Sequence, residues 1–146
     1  MFTVDIRHNF ETAHRLAAPG SPVKCMSIHG HSWWATFTFG SSTLDALSMV
    51  IEFGAIKALL RRRMDDTLDH HLVLQEGDPL VGAIRGVMPG CRILEVPFAP
   101  TTERMAAMLH GWAVEALAAC EVAPEVRVVR VHVQETSVNG ASYEPV

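Results

Sequence analysis

The chain has 146 residues, 49% of them hydrophobic and 19% charged, with a formal net charge of −4 and three cysteines. That length suits a single domain, residues 1–146, able to bury most of its unfolded-state surface without disulfides or a structural metal. The weak negative charge, with basic residues scattered apart from Arg61, Arg62 and Arg63, excludes the footprint of a nucleic-acid binder.

Cys25, Cys91 and Cys120 fall at spacings that form no paired framework, and no basic region followed by an apolar stretch opens the chain. A cytoplasmic, reducing setting is the expectation. No apolar run approaches the roughly 20 residues needed to cross a bilayer.

From Phe2 to His14 the residues alternate, with Val4, Ile6, His8, Phe10, Thr12 and His14 on one side, the period of a strand. Pro-Gly and Ser-Pro break the pattern between Ala17 and Lys24. Alternation resumes from His31 to Phe39 with Trp33, Ala35, Phe37 and Phe39 sharing a face, so the two strands form a hairpin with a long loop that contains Cys25.

Ser48 to Phe53 leads into a helix from about Gly54 to Asp66, with Ile56, Leu59, Leu60, Arg63 and Met64 at helical spacing; the arginine run there reads as a solvated face. Leu68-Asp69-His70-His71-Leu72 ends it. Asp78 as cap and Pro79 in the first position predict a short helix through Arg85, and a strand follows from Cys91 to Phe98. Thr101 can cap a long amphipathic helix whose stripe is Met105, Met108, Leu109, Trp112, Ala116 and Leu117. Val126 to Glu135 alternates again, placing Val129, Val131, Val133 and Glu135 on one face, with a final edge at Ser142 to Glu144. Helices covering one face of an antiparallel sheet, an α+β domain, is the simplest packing of this order. Cys91 and Cys120 fall in apolar patterns and read as core.

His29 and His31 flank Gly30, and residues two apart on a strand point to one side roughly 6.5 to 7 Å apart. His14, ending the antiparallel partner, can supply a third imidazole, whereas His8, six residues back and so about 20 Å away, cannot share that ion. Taken singly, each reads first as an ordinary half-buried histidine bonded to backbone. Taken together, three imidazoles suit zinc and leave one coordination position for chemistry, although copper, nickel and ferrous iron also accept imidazole. Cys25 can be an apolar filler, a fourth metal ligand, or a base or nucleophile; a nearby cation and Lys24 would favour its thiolate. In Asp69-His70 the carboxylate can orient the imidazole for proton transfer, or Asp69 can simply cap the helix end. Glu135 ends a valine-lined strand, where a carboxylate needs a donor unless the strand end is at the surface.

Five segments in order, Phe10-Glu11-Thr12-Ala13-His14-Arg15-Leu16, Cys25-x3-His29-Gly30-His31, Leu68-Asp69-His70-His71, Pro100-Thr101-Thr102-Glu103 and Glu135-Thr136, resemble the motifs of the 6-pyruvoyl- and 6-carboxytetrahydropterin synthase superfamily. The three-residue gap after Cys25 is similar to the bacterial carboxytetrahydropterin branch, which serves queuosine-type deazapurine synthesis. The resemblance implies a tunnelling fold: an antiparallel sheet carrying two helices on one face, with sheets closing into a barrel in trimers or paired trimers. It implies zinc on His14, His29 and His31, and Cys25 as the proton-abstracting base. Asp69 and His70 would be the relay, from the same or a neighbouring subunit. Glu135 would anchor the pterin and assist the relay, with Thr101 and Thr102 near the ring.

The implied reaction converts 7,8-dihydroneopterin triphosphate to 6-carboxy-5,6,7,8-tetrahydropterin, releasing acetaldehyde and triphosphate. Lys24, Arg15 and His8 are candidates to receive the triphosphate. Competing readings are the pyruvoyl-type synthase, which eliminates triphosphate from the same substrate, and a zinc-binding structural or sensor module closed by Cys25. Three departures stand out: Glu52 where aspartate is common in the family, a longer stretch from Glu76 to Val96, and bulky Trp33-Trp34 beside the metal motif. Glu52 is expected to affect local capping rather than chemistry.

Overall fold

The computed structural model describes all 146 residues, and its frame is set by two long strands, β1 (Phe2–His14) and β2 (His29–Ser41). Their alternating side chains pair in an unbroken antiparallel register from Phe2 opposite Ser41 to His14 opposite His29. β5 (Arg127–Gln134) adds antiparallel to β2, and β6 (Gly140–Tyr143) adds antiparallel to β5. Inward residues Ile6, Phe10, Trp33, Phe37, Phe39, Val131 and Val133 are buried together.

The other side of the sheet corrects the expectation of purely antiparallel pairing. β3 (Leu72–Gln75) joins β1 in parallel and β4 (Ile93–Val96) joins β3 in parallel, so the six strands run β4-β3-β1-β2-β5-β6. Helical crossovers make this possible: α2 (Phe53–Thr67) precedes β3, and α3 (Pro79–Val87) connects β3 to β4. β3 was not expected, because a four-residue apolar run next to a helix end has no period long enough to read. The strand expected over 91–98 is confined to four residues.

α2 and the long α4 (Thr102–Ala118) pack on one face and bury Ile56, Leu60, Met64, Met105, Leu109 and Trp112 against the sheet. α3 covers the reverse face at β3 and β4, where Leu72, Leu74 and Val81 form a separate apolar cluster while Val73 points into the main core. The caps are those the sequence predicts: Asp78 accepts from the Leu80 N–H, Thr101 from the Arg104 N–H, and Glu52 from the Gly54 N–H.

One residue of β5 departs from simple alternation. The register with β2 shifts between Thr38 and Phe39, so Val128 is buried and Val129 is the bulged residue, against the expectation that Val129 shares a face with Val131. Val129 lies over Gly40, where a β-carbon would meet its methyl at 2.7 Å. Downstream of the bulge Val131, Val133 and Glu135 keep their common side. No helix is long and apolar enough to cross a membrane, and all three cysteines are free thiols.

Candidate metal centre and catalytic cavity

The paired ends of β1 and β2 bring His14, His29 and His31 together, with one ligand atom from each lying within 4.8 Å of the others. His14 and His29 are direct cross-strand partners, and His31 is opposite Thr12, so the pleat turns all three rings to the helix side. Buried Trp33 forms the floor, meeting His14 and His31 edge-on at centroid distances of 5.1 and 5.2 Å. Trp34 faces the other way, beneath the Arg7 guanidinium, and takes no part.

The rings are oriented by their outer nitrogens. His14 Nδ1 bonds the Pro100 carbonyl at 2.8 Å and His29 Nδ1 bonds the Ser27 carbonyl at 2.8 Å, which leaves each Nε2 free for a ligand. The Nε2 atoms of His14 and His31 are buried without a hydrogen-bond partner. Burial pushes His14 below the ordinary histidine pKa, and the neighbouring His29 and His31 rings push the same way against the Pro100 carbonyl and Glu135; His31 is lowered by burial and His29. Nε2 atoms without partners, with the outer nitrogens of His14 and His29 held by carbonyls, are what metal binding requires, and this cluster, His14 buried and the other two half-buried, could hold a metal ion.

The cluster opens into a cavity of about 550 Å³. Cys25 lies on its wall, carried by the one-turn helix α1 (Val23–Met26) within the loop between β1 and β2. The group of close ligand atoms consists of the three histidines, and Cys25 stands outside it. Thr101 and Thr102 reach the cavity from the start of α4, and Glu135 from the end of β5, its Oε1 3.6 Å from His14 Nε2 and 3.7 Å from His31 Nε2. Of the remaining wall residues, Leu16, Glu103 and Thr136 stand in the motif segments without an assigned role, and Asn139 was missed altogether. Glu103 occupies the first turn of α4, where acidic residues are common for helix-dipole reasons alone, and Asn139 arrives through the turn in which its carbonyl accepts from the Glu135 and Thr136 amides.

Asp69 and His70 are elsewhere in the subunit. They follow α2, and His70 lines a second cleft of about 530 Å³ with Glu11, Ser32 and Arg92, its side chain 70% exposed. Asp69 accepts from the Glu11 N–H of β1 at 2.7 Å and meets His70 Nδ1 at 2.8 Å, so its carboxylate touches the imidazole and ties it to β1 instead of capping the helix end. Burial alone would raise its pKa, but these bonds outweigh that and hold it below the usual carboxylate value. His70 itself has a φ of 56°, with its N–H bonded to the Glu11 carbonyl at 2.7 Å. Within one subunit neither residue of this pair lines the Cys25 cavity, although His31 lines both clefts. Cys91 lines the same cleft, half-buried, instead of joining the core; Cys120 packs against the core from the end of α4.

The candidate cations also separate. Lys24 lies on the cavity wall; Arg15 is committed to Asp78 through two bonds of 2.7 and 2.8 Å; His8 is buried under α2, its pKa lowered by burial and by Arg61.

Comparison with known proteins agrees with this fold. Among solved structures, an uncharacterized protein from Wolinella succinogenes superposes with a TM-score of 0.78 over 99% of this chain and 98% of its own, at 20% identity. The 6-pyruvoyl tetrahydropterin synthase of Caenorhabditis elegans superposes with a TM-score of 0.70 over 99% and 96% of the two chains, at 19% identity. In sequence, a 6-carboxy-5,6,7,8-tetrahydropterin synthase from Aquifex aeolicus is 31% identical over 124 residues, 83% of this chain and 76% of its own length. One from Rickettsia bellii is 33% identical over 105 residues, 72% of this chain and 75% of its own. The family model for 6-pyruvoyl tetrahydropterin synthase matches residues 3–146. With its histidine triad, cysteine loop and strand order all inside that match, the chain belongs to the 6-pyruvoyl tetrahydropterin synthase family.

Proposed function

We propose that the chain is a zinc-dependent 6-carboxytetrahydropterin synthase. It converts 7,8-dihydroneopterin triphosphate to 6-carboxy-5,6,7,8-tetrahydropterin, with loss of acetaldehyde and triphosphate, and supplies queuosine-type deazapurine synthesis. The observation that carries this reading is the shared cavity: three imidazoles with free Nε2 atoms face it, and one cysteine outside their cluster stands on its wall. The short Cys25-to-His29 spacing and the names of the sequence relatives favour the carboxy-forming reaction over the pyruvoyl-forming one.

His14, His29 and His31 would hold the zinc, which as a Lewis acid would polarise oxygens of the substrate side chain and acidify the adjacent C–H. Cys25 Sγ accepts that proton as the thiolate. Glu135 accepts hydrogen bonds from the guanidine-like edge of the pterin, with Thr101 and Thr102 beside the ring. Lys24, the one Lys or Arg on the cavity wall, meets the triphosphate charge. His70, oriented by Asp69, returns protons as the carbon–carbon bond breaks; its place in a cleft other than the Cys25 cavity supports its acting in the cavity of a neighbouring copy. Incubation with 7,8-dihydroneopterin triphosphate followed by mass spectrometry tests the reading. The expected products are 6-carboxytetrahydropterin and acetaldehyde; a product that keeps the two-carbon fragment would establish the pyruvoyl-type reaction instead.

A further inference from the structure

The loop that carries Cys25 has little apolar anchorage. α1 buries none of its residues, Val23 is 82% exposed, and no side chain caps the turn. What holds it is polar and enters from the end of β1. The Leu16 N–H donates to the Cys25 carbonyl at 2.7 Å, and Arg15 Nη1 makes a longer contact, 3.5 Å, with the Met26 carbonyl. Arg15 follows His14 directly, so alternation along the chain sends its side chain to the opposite face, toward α3.

There Arg15 is fixed by Asp78. Nε and Nη2 donate to the two carboxylate oxygens at 2.8 and 2.7 Å, and the carboxylate also accepts the Leu80 N–H at 2.9 Å. The Asp78 side chain is 1% exposed, and the Arg15 bonds hold its pKa below the usual carboxylate value. A fork-to-fork pair of this kind allows the guanidinium only one plane and one direction. Asp78 belongs to the stretch between β3 and β4, none of whose residues lines the Cys25 cavity.

We propose that Asp78 and Arg15 are positioning residues for catalysis: their pair locks the exit of β1, and through Leu16 and Met26 it fixes the Cys25 loop over the imidazole cluster. The inference rests on the synthase reading for its effect on turnover, but its effect on the loop is independent of it. Three variants separate the roles. Asp78→Asn keeps an acceptor for the Leu80 N–H and removes the charge that Arg15 grips. Arg15→Lys keeps the charge and removes the fork. Val81→Ala weakens α3 packing in the Leu72 and Leu74 cluster without touching Arg15.

Each variant is followed by steady-state kinetics, bound-metal content, thermal melting and amide hydrogen exchange in residues 16–27. The first two are expected to lower kcat by about 10- to 100-fold with KM and metal content unchanged, as small misplacements of a catalytic group do. They should also speed exchange of the 16–27 amides by about tenfold or more. Val81→Ala should lower the melting temperature and leave kcat and that exchange as they are. If Asp78→Asn and Arg15→Lys lower only the melting temperature, as Val81→Ala does, the pair is structural and the inference fails. A wild-type protein inert toward the pterin would overturn the synthase reading and leave the exchange comparison to decide this one.

Discussion

At the scale of residues, the proposed function gives the three histidines and Cys25 different work, and substitution should separate them. His29→Ala is expected to lose both bound metal and turnover, because two imidazoles rarely hold a catalytic ion. Cys25→Ala should keep the metal, measured by elemental analysis, and lose about 10²- to 10⁴-fold in turnover, the usual contribution of a positioned base. Retained turnover in Cys25→Ala would remove the thiol from the mechanism. His8 offers a separate test. It is buried with Nε2 unpartnered, and burial, Arg61 and Lys57 depress its pKa while Asp65 and a backbone contact at Lys57 oppose them. A histidine whose folded pKa is depressed stabilises the fold fully above the unfolded value, near 6.5, and that stability is lost as pH falls from there through the folded value. His8→Phe should therefore flatten the stability profile on the acid side of about pH 6.5; an unchanged slope would exclude His8 as a source.

At the scale of elements, what was legible in the sequence follows the length of each pattern. β1 alternates over thirteen residues and β2 from His31 to Phe39, so their pairing and the facing of His14, His29 and His31 could be read directly. α4 was legible from its stripe and its Thr101 cap, and Glu135 from its place at the end of a valine strand. β3 was not, being four residues long, and the bulge at Val129 was not, because a shift of register leaves no mark in an alternating pattern. The Arg15–Asp78 pair joins residues 63 apart in sequence, and only the fold brings them together. Because α4 supplies both core and cavity wall, it is the element whose loosening should cost most. Leu109→Ala, at a fully buried position, should lose about 2–5 kcal/mol in urea unfolding. Val87→Ala, on an exposed position of α3, should stay within about 0.5 kcal/mol of the wild type.

At the scale of the whole molecule, two facts ask for a second copy. β4 and β6 end the sheet with unpaired edges, and closing such edges by symmetric assembly is a common remedy. The His70 dyad and the Cys25 cavity occupy separate clefts of one subunit. If neighbouring copies complete each other's sites, mixing His70→Ala with Cys25→Ala subunits after dissociation and reassembly should restore part of the activity that each lacks alone. Sedimentation should show an assembly larger than one chain, and no recovery from an assembled mixture would place the relay within a single subunit.

The proposed division of labour in the cavity, imidazoles for the metal and sulfur for the proton, is open to one direct measurement, X-ray absorption at the zinc edge of the purified resting protein. The account predicts nitrogen neighbours at about 2.0–2.1 Å and no sulfur shell. A persistent zinc–sulfur distance of about 2.3 Å would contradict it, making Cys25 a fourth ligand and the site a closed structural centre.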